Sequence, residues 1–595
     1  MNNGRKVIIQ ATIILVALIF AIRLFSIQVL DSTYKLAAEN NIVQKVTEYP
    51  YRGLLHDRNG QLLVFNTPIY DLMVVPKEVS LSDTTNFCQL VGIDKLSFEE
   101  RMKEAKSYSS ILPSRFVEQL TNEQFAQIQD RLVEYPGFHI RARTARKYQY
   151  NSLANALGYI GEISKRQLQR DSTKFYKSGD FIGISGLEAA YEEQLRGQRG
   201  VSYKMVNVRG IEQGKFKDGR YDTLSVPGKD LILTIDLGLQ SYAEKLMKGK
   251  IGSVVALEPS TGEILAFVSS PSYDPDFLTG KDFSDNYQQL EKDTLKPLFN
   301  RPLMAMYPPG SIFKTVQALI AMDQGVVSPN EEVYCDGTLI GDHAPSGYYD
   351  MHNAIKFSSN NYFYQIFRRV IRQGLSDNPY TDARLGLDRW REQVRKFGLG
   401  QPLGVDIPNE KSGYVPGADY YNRLYGTGRW GYAHIYSLSI GQGEILLNPI
   451  QMANLASIIA NRGYYHPPHM IKNHDLAQPF HETVRTEINP EYYDIVIDAM
   501  EEALAGTAGR AIIPDIPICG KTGTAENPHG ADHSVFMAFA PKEDPKIAIS
   551  VFVENAGWGG RAAGSTASLL IEQYLKGDIS RQWLEDYVLK GEFLD

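Results

Sequence analysis

An α+β protein with a single transmembrane helix and two folded domains is what this sequence predicts, on three observations. At 595 residues the chain is too long for one compact core. Residues 7 to 30 make one apolar run, interrupted only by Gln10, Thr12, Arg23, Ser26 and Gln28. In the second half, strand-like stretches stand at both ends and enclose a helical middle, the pattern of an antiparallel sheet assembled from distant segments and flanked by helices.

Composition narrows the class further. With 43% hydrophobic and 22% charged residues the chain is ordinary globular material rather than disordered. A net charge of −7 spread over 62 basic and 69 acidic residues gives no reason to expect nucleic acid as a partner. The three cysteines, Cys88, Cys335 and Cys519, are far apart and odd in number, so no disulfide framework follows. Cys519 reads as a small buried hydrophobe on a strand.

Taken in order, residues 1 to 6 form a short polar tail containing Arg5 and Lys6. A helix over residues 7 to 30 rises about 1.5 Å per residue and so crosses a hydrocarbon core of about 30 Å. The basic start predicts an N-terminus in the cytoplasm and the bulk of the chain outside it. No small-residue cleavage site interrupts the run, so the helix is read as an uncleaved anchor rather than a signal peptide. Asn40 to Pro50 follows as an extended lead-in. Leu54 to Asn66 holds a hairpin turning at Asp57-Arg58-Asn59-Gly60. Residues 91 to 134 read as helical, and Arg141, Arg143, Arg146 and Lys147 as a solvated strand face. Leu187 to Leu195 is a short helix between glycines.

Pro227-Gly228-Lys229 punctuates the chain and divides a first domain, 31–228, from a second, 229–595. Asp230 to Asp236 reads as a strand leading into the second domain. Gly252 to Glu258 and Glu263 to Val268 make a hairpin around Pro259-Ser-Thr-Gly262. Near the far end, Val535 to Ala540 and Ile547 to Val553 are strands and Ala567 to Leu575 a helix. Lys521-Thr522-Gly523 is expected on an inner strand of that sheet, facing a helix that opens at Ser311.

That helix start, Met306-Tyr-Pro-Pro-Gly-Ser311-Ile-Phe-Lys314-Thr315, carries the chemistry. Positions i and i+3 share a helix face, so Ser311 and Lys314 point the same way. A serine hydroxyl needs a neighbour to take its proton, and a desolvated amine three residues along can do so. The helix N-terminus adds N–H groups where an oxyanion develops. Serine and lysine at this spacing occur often by chance. Standing alone, Ser358-Ser359-Asn360-Asn361 reads as a polar helix cap and Lys521-Thr522-Gly523-Thr524 as a strand edge. All three in this order form the signature set of penicillin-recognising acyl-transfer enzymes.

On these motifs the chain resembles the class B penicillin-binding proteins of the elongation type. Arg52-Gly53, Asp57 to Gly60, Gly186 to Glu192 with Leu195-Arg-Gly197, and Ile440-Gly-Gln-Gly-Glu444 extend the resemblance over nearly the whole length. It implies a non-catalytic, dimerisation-type pedestal over 31–228 and a β-lactamase-like transpeptidase domain over 229–595. It also implies an enzyme of the cytoplasmic (inner) membrane that crosslinks peptidoglycan stem peptides and is a target of β-lactams. The family's chemistry places Ser311 as nucleophile, Lys314 as its base, Ser358 as proton relay, and Asn360 as the group that orients Lys314 and holds the substrate amide. Lys521, Thr522 and Thr524 would hold the substrate carboxylate, Gly523 would let the substrate backbone lie along the strand, and the N–H groups of Ser311 and Thr524 would form the oxyanion hole. No cofactor is implied. A SEDS-family glycosyltransferase of the elongation machinery is the implied protein partner.

The competing readings are a division-type transpeptidase, a D,D-carboxypeptidase that admits water, and a β-lactam sensor that acylates without turnover. No counterpart of a β-lactamase's deacylating glutamate stands out, and residues 1 to 6 leave little room for a sensor's output module. Cys335, Asp336, His343, Asp350 and His352 include zinc-ligand types, but their spacing fits no compact zinc pattern, so no metal is expected.

Overall fold

The computed structural model describes residues 3–26, 43–81, 83–206 and 212–594. The apolar run is helical over Asn3–Phe25, and Lys6–Phe25 is long and apolar enough to span a membrane. Residues 27–30 of the expected span, and the start of the extended lead-in at 40–42, lie outside the described residues.

The chain packs as two units, one made of Met1–Gly53 with Glu193–Lys229, the other of Leu54–Glu192 with Asp230–Asp595. The first unit is built on an antiparallel sheet in which Gly200–Val206 lies between Val43–Glu48 and Glu212–Lys215. The second holds two five-stranded sheets.

In the first of these, Leu62–Val74 runs beside Leu55–His56 on one side and pairs with Ser114–Leu120 and Phe138–Tyr148. The turn between Leu55–His56 and Leu62–Val74 is the expected one. Asp57 Oδ1 accepts from the N–H groups of Asn59 (2.9 Å) and Gln61 (2.7 Å), and Gly60 takes a positive φ of 83° that favours glycine. Residues 91–134 are not helical throughout. Helices cover Thr84–Val91, Lys95–Tyr108 and Asn122–Gln129, but Ser114–Leu120 is a strand whose Phe116 and Leu120 enter the core with Phe87 and Phe138. Its alternating side chains outweigh the helical periodicity on either side. The short helix read over Leu187 to Leu195 is two, Gly186–Ala190 and Glu192–Leu195.

The basic patch is solvated only in part: Arg141 and Lys147 are exposed, Arg143 is half-buried and Arg146 is buried. Arg143 Nε meets Asp71 Oδ2 at 2.5 Å, Arg146 Nε meets Glu188 Oε1 at 2.7 Å with both side chains buried, and Lys147 pairs with Asp276. The partners lie far away in sequence, which is why the patch alone reads as solvated.

The stretch Asp230 to Asp236 contributes only the two-residue strand Leu231–Ile232, and it extends the first sheet, in parallel with Leu55–His56. The second sheet runs Ile264–Ser270, Gly252–Leu257, Ile547–Val553, His533–Ala540, Cys519–Ala525, all antiparallel. Its strands are buried on both faces, packed against Leu237–Met247 and Ala563–Lys576 on one side. Lys521 therefore sits on the edge strand of this sheet, not on an inner one. An edge strand leaves backbone groups free for another extended segment.

Candidate active site

Gly310–Phe313 forms a 3₁₀ turn that continues as the α-helix Lys314–Asp323. The helix is buried from Lys314 to Met322, so it is the central rod of the domain rather than a surface helix. Gln317 pins it from within, accepting from Trp390 Nε1 (2.9 Å) and donating to Leu438 O (3.0 Å). The turn carrying Ser311 is clasped from two directions. Gly310 takes φ +59°, donates its N–H to Gly441 O at 2.9 Å, and comes so close to the edge strand that a Cβ would lie 2.7 Å from Thr524 O. Gly523 meets the same turn: a Cβ there would sit 2.9 Å from Pro309 O. Ser311 is thereby fixed, half-buried, beside Thr522, Gly523 and Thr524, whose two hydroxyl-bearing residues are also half-buried.

The second motif closes on this turn from the other side. Met351–Lys356 ends in a left-handed residue, Ser358 (φ 58°), and Ser359 N–H returns to Ala354 O at 3.0 Å. Glycine is the usual occupant of such a position. Here a serine holds it, a strained conformation of the kind found at working sites. Ser359 then caps the next helix, Asn360–Ile371, accepting from Tyr362 N–H at 3.2 Å. The cap reading holds for Ser359, which leaves the side chains of Ser358 and Asn360 for other contacts.

Between the three segments Lys314 Nζ donates to Ser358 O (2.6 Å), Asn360 Oδ1 (2.6 Å) and Ser358 Oγ (3.3 Å). Lys521 Nζ donates to the same Ser358 Oγ at 2.9 Å and to Thr522 O at 3.3 Å. Both lysines are fully buried. Burial first, and then the neighbouring charge of Lys521, push Lys314 well below the ordinary lysine range, against the pull of Asp342. Burial alone brings Lys521 down to about 7. Ser358 Oγ receives a hydrogen bond from each amine, which leaves its own O–H to point elsewhere. Five of the expected residues, Lys314, Ser358, Asn360, Lys521 and Thr522, are thus joined by hydrogen bonds, and Ser311, Gly523 and Thr524 pack together beside them.

Two supporting groups were not foreseen. Gln442 Nε2 donates to Thr524 O at 3.0 Å, within the Ile440-Gly-Gln-Gly-Glu444 stretch. Asp342 Oδ2 accepts from Ser359 Oγ at 2.6 Å and from Asn361 N–H at 2.8 Å. A lone aspartate in a polar loop gives no signal in sequence.

The zinc-type side chains nearby have other work. Asp350 caps Met351–Lys356, Asp336 accepts from Thr338, His352 lies 3.6 Å from Glu502, and burial pushes the Cys335 thiol up to about 11. Among the described residues no three His, Cys, Asp or Glu gather as a metal site.

Residues 252–572 match the family model of the penicillin-binding protein transpeptidase domain, and 47–233 that of the penicillin-binding protein dimerisation domain. The peptidoglycan D,D-transpeptidase MrdA of Acinetobacter baumannii is 31% identical, the match covering 94% of this chain and 86% of that one. Among solved structures, the complex between penicillin-binding protein PBP2 and MreC from Helicobacter pylori superimposes with a TM-score of 0.75 at 24% identity, over 90% of this chain and 100% of that one. A structure described as the structural coordination of polymerization and crosslinking by a peptidoglycan synthase complex matches with a TM-score of 0.69 at 24% identity, over 97% of this chain and 100% of that one. At that identity the two structures establish the fold.

Proposed function

Because the chain belongs to the penicillin-binding proteins, as a peptidoglycan D,D-transpeptidase of the elongation type, we propose that its reaction is carried by Ser311, Lys314, Ser358, Asn360, Lys521, Thr522, Gly523 and Thr524. The enzyme is a serine acyltransferase that crosslinks peptidoglycan and binds β-lactams. The single observation that carries the assignment of roles is the convergence of two buried amines, 2.9 and 3.3 Å from one serine hydroxyl, from segments far apart in sequence.

In this reading Ser311 Oγ attacks the carbonyl of the penultimate D-alanine of a stem peptide, and its proton passes to neutral Lys314. The N–H groups of Ser311 and Thr524 receive the oxyanion. As the C–N bond breaks, Ser358 hands a proton to the departing D-alanine amine, replenished from the lysines that flank it. Asn360 keeps Lys314 aimed. Protonated Lys521, with the hydroxyls of Thr522 and Thr524, holds the terminal carboxylate, and the stem peptide lies along the edge strand where Gly523 leaves room. An amine of a neighbouring stem then attacks the acyl-enzyme, giving a peptide crosslink and free Ser311.

We further propose the division expected from sequence, a pedestal over 31–228 and a transpeptidase domain over 229–595. The family-model limits at 233 and 252 support it, although Leu54–Glu192 packs in one unit with the catalytic part. The apolar helix anchors the chain in the membrane, and the basic residues before it support an N-terminus in the cytoplasm. A SEDS-family glycosyltransferase as partner is supported by the likeness to the synthase complex that couples polymerization to crosslinking.

The test supplies uncrosslinked glycan strands bearing D-Ala-D-Ala stems, with and without added acceptor amine, and counts D-alanine released per enzyme. A transpeptidase releases many equivalents and makes crosslinked product in proportion to acceptor. Release that ignores the acceptor would indicate a carboxypeptidase, and at most one equivalent would indicate a sensor.

A further inference from the structure

The loop between the strands Val333–Cys335 and Gly347–Tyr349 reaches over the Ser358–Asn360 turn and binds it by both of its polar arms. Asp342 Oδ2 accepts from Ser359 Oγ (2.6 Å) and Asn361 N–H (2.8 Å), while Oδ1 is held by Ala344 N–H (3.2 Å). The preceding residue, Gly341, accepts from Asn360 Nδ2 at 2.8 Å. That bond fixes which end of the Asn360 amide is left for Lys314: its Oδ1, at 2.6 Å. Ser358, whose O accepts from Lys314 at 2.6 Å, is left-handed, and the neighbouring Ser359 is tied by its N–H to Ala354 and by its hydroxyl to Asp342. The acceptors around Lys314 thus trace back to this one loop.

We propose that Asp342 is a positioning residue for acyl transfer: acting through Ser359, Asn361 and the Ser358–Asn360 turn, it shapes the cage of acceptors around Lys314 and places a carboxylate charge near it. This rests on the reading of Lys314 as the base that serves Ser311. The charges in the neighbourhood are few. Lys314 feels Lys521 from the edge strand and Asp342 from the loop. Asp342 itself is faced by the Cys335 thiol and the Tyr349 phenol, both pushed up by burial and by its charge, with Asp336 also near Cys335. Partial burial pushes the Asp342 carboxyl up, but the hydrogen bonds from Ser359, Asn361, Asn360 and Ala344 outweigh it and hold it below its usual range. Asp342 is therefore charged at neutral pH and favours the protonated form of Lys314. A loop that builds the cage also restrains the base.

The experiment measures the rate of acylation by a fluorescent penicillin against pH, using the full chain in detergent. Wild type is compared with Asp342→Asn, Asp342→Ala and Ser311→Ala. Asp342→Asn keeps the shape and one acceptor oxygen but removes the charge, so the rise of the rate with pH moves to lower pH. Asp342→Ala also loses the acceptor, and its plateau falls about tenfold or more. If the rise stays where it is in Asp342→Asn, whether or not the plateau drops, Asp342 is structural only and the proposal is overturned. Label on Ser311→Ala overturns instead the underlying assignment of the nucleophile, an outcome independent of any shift with Asp342.

Discussion

Charges are buried in two ways in this molecule. Arg146 and Glu188 meet at 2.7 Å with side chains 1% and 0% exposed, and Arg581 meets Glu572 at 3.0 Å with 8% and 0%. Lys314 and Lys521 are buried as deeply, yet among the described residues neither makes an ion pair, and both lean on neutral oxygens of Ser358, Asn360 and Thr522. A matched pair offsets much of its desolvation by mutual attraction and holds segments together. Two buried amines without an ion-pair partner are open to chemistry: in the proposed mechanism Lys314 takes up and gives back a proton, and Lys521 meets the substrate carboxylate. The difference separates framework from chemistry.

Lys314→Met puts the comparison under the greatest load. It removes the proposed base together with a buried amine that has no ion-pair partner, so penicillin acylation should fall about a thousandfold while thermal stability holds or rises. Loss of folding without the kinetic effect in surviving protein would reverse the contrast. Arg146→Met is the mirror case. Taking the guanidinium away from Glu188 should cost about 3–5 kcal/mol of stability by denaturant titration, with the acylation rate of the folded chain unchanged, and Glu188→Met added to it should recover most of the loss. An additive double variant would show that the pair is not a closed unit.

A smaller effect is expected for Lys521→Met. The substrate carboxylate loses a charged partner, so acylation should drop about tenfold to a hundredfold, and the loss should shrink for an analogue lacking that carboxylate. Equal losses for both analogues would remove Lys521 from carboxylate binding. The mildest signal is in stability. Unfolded Lys521 keeps its proton up to 10.5, whereas burial in the fold brings it down to about 7. Between those values the unfolded state binds more protons, so stability should rise with pH across the window, and Lys521→Met should flatten part of that rise. A Tm slope identical in the variant would mean that Lys521 titrates normally.

The contrast also explains what could be read from sequence. Ser311 with Lys314, Ser358 with Asn360, and Lys521 to Thr524 are local spacings, so the motifs on which the proposed chemistry rests can be read in short words. The hairpin at Asp57 to Gly60 and the flanking strands of the catalytic sheet are equally local. What depends on distant partners was not legible. Arg146 looks solvated until Glu188 is brought to it from another segment. Lys521 was expected on an inner strand, but strand order depends on which remote segments pair. Asp342 has no motif at all, and its importance lies in a hydroxyl 17 residues away in the chain.

The most direct test is the intact mass of the full chain after incubation with penicillin, followed by mapping of the modified peptide. The account predicts one adduct per chain, located at Ser311, abolished in Ser311→Ala and slowed in Lys314→Met. An adduct on any other residue, or one that persists in Ser311→Ala, would contradict it.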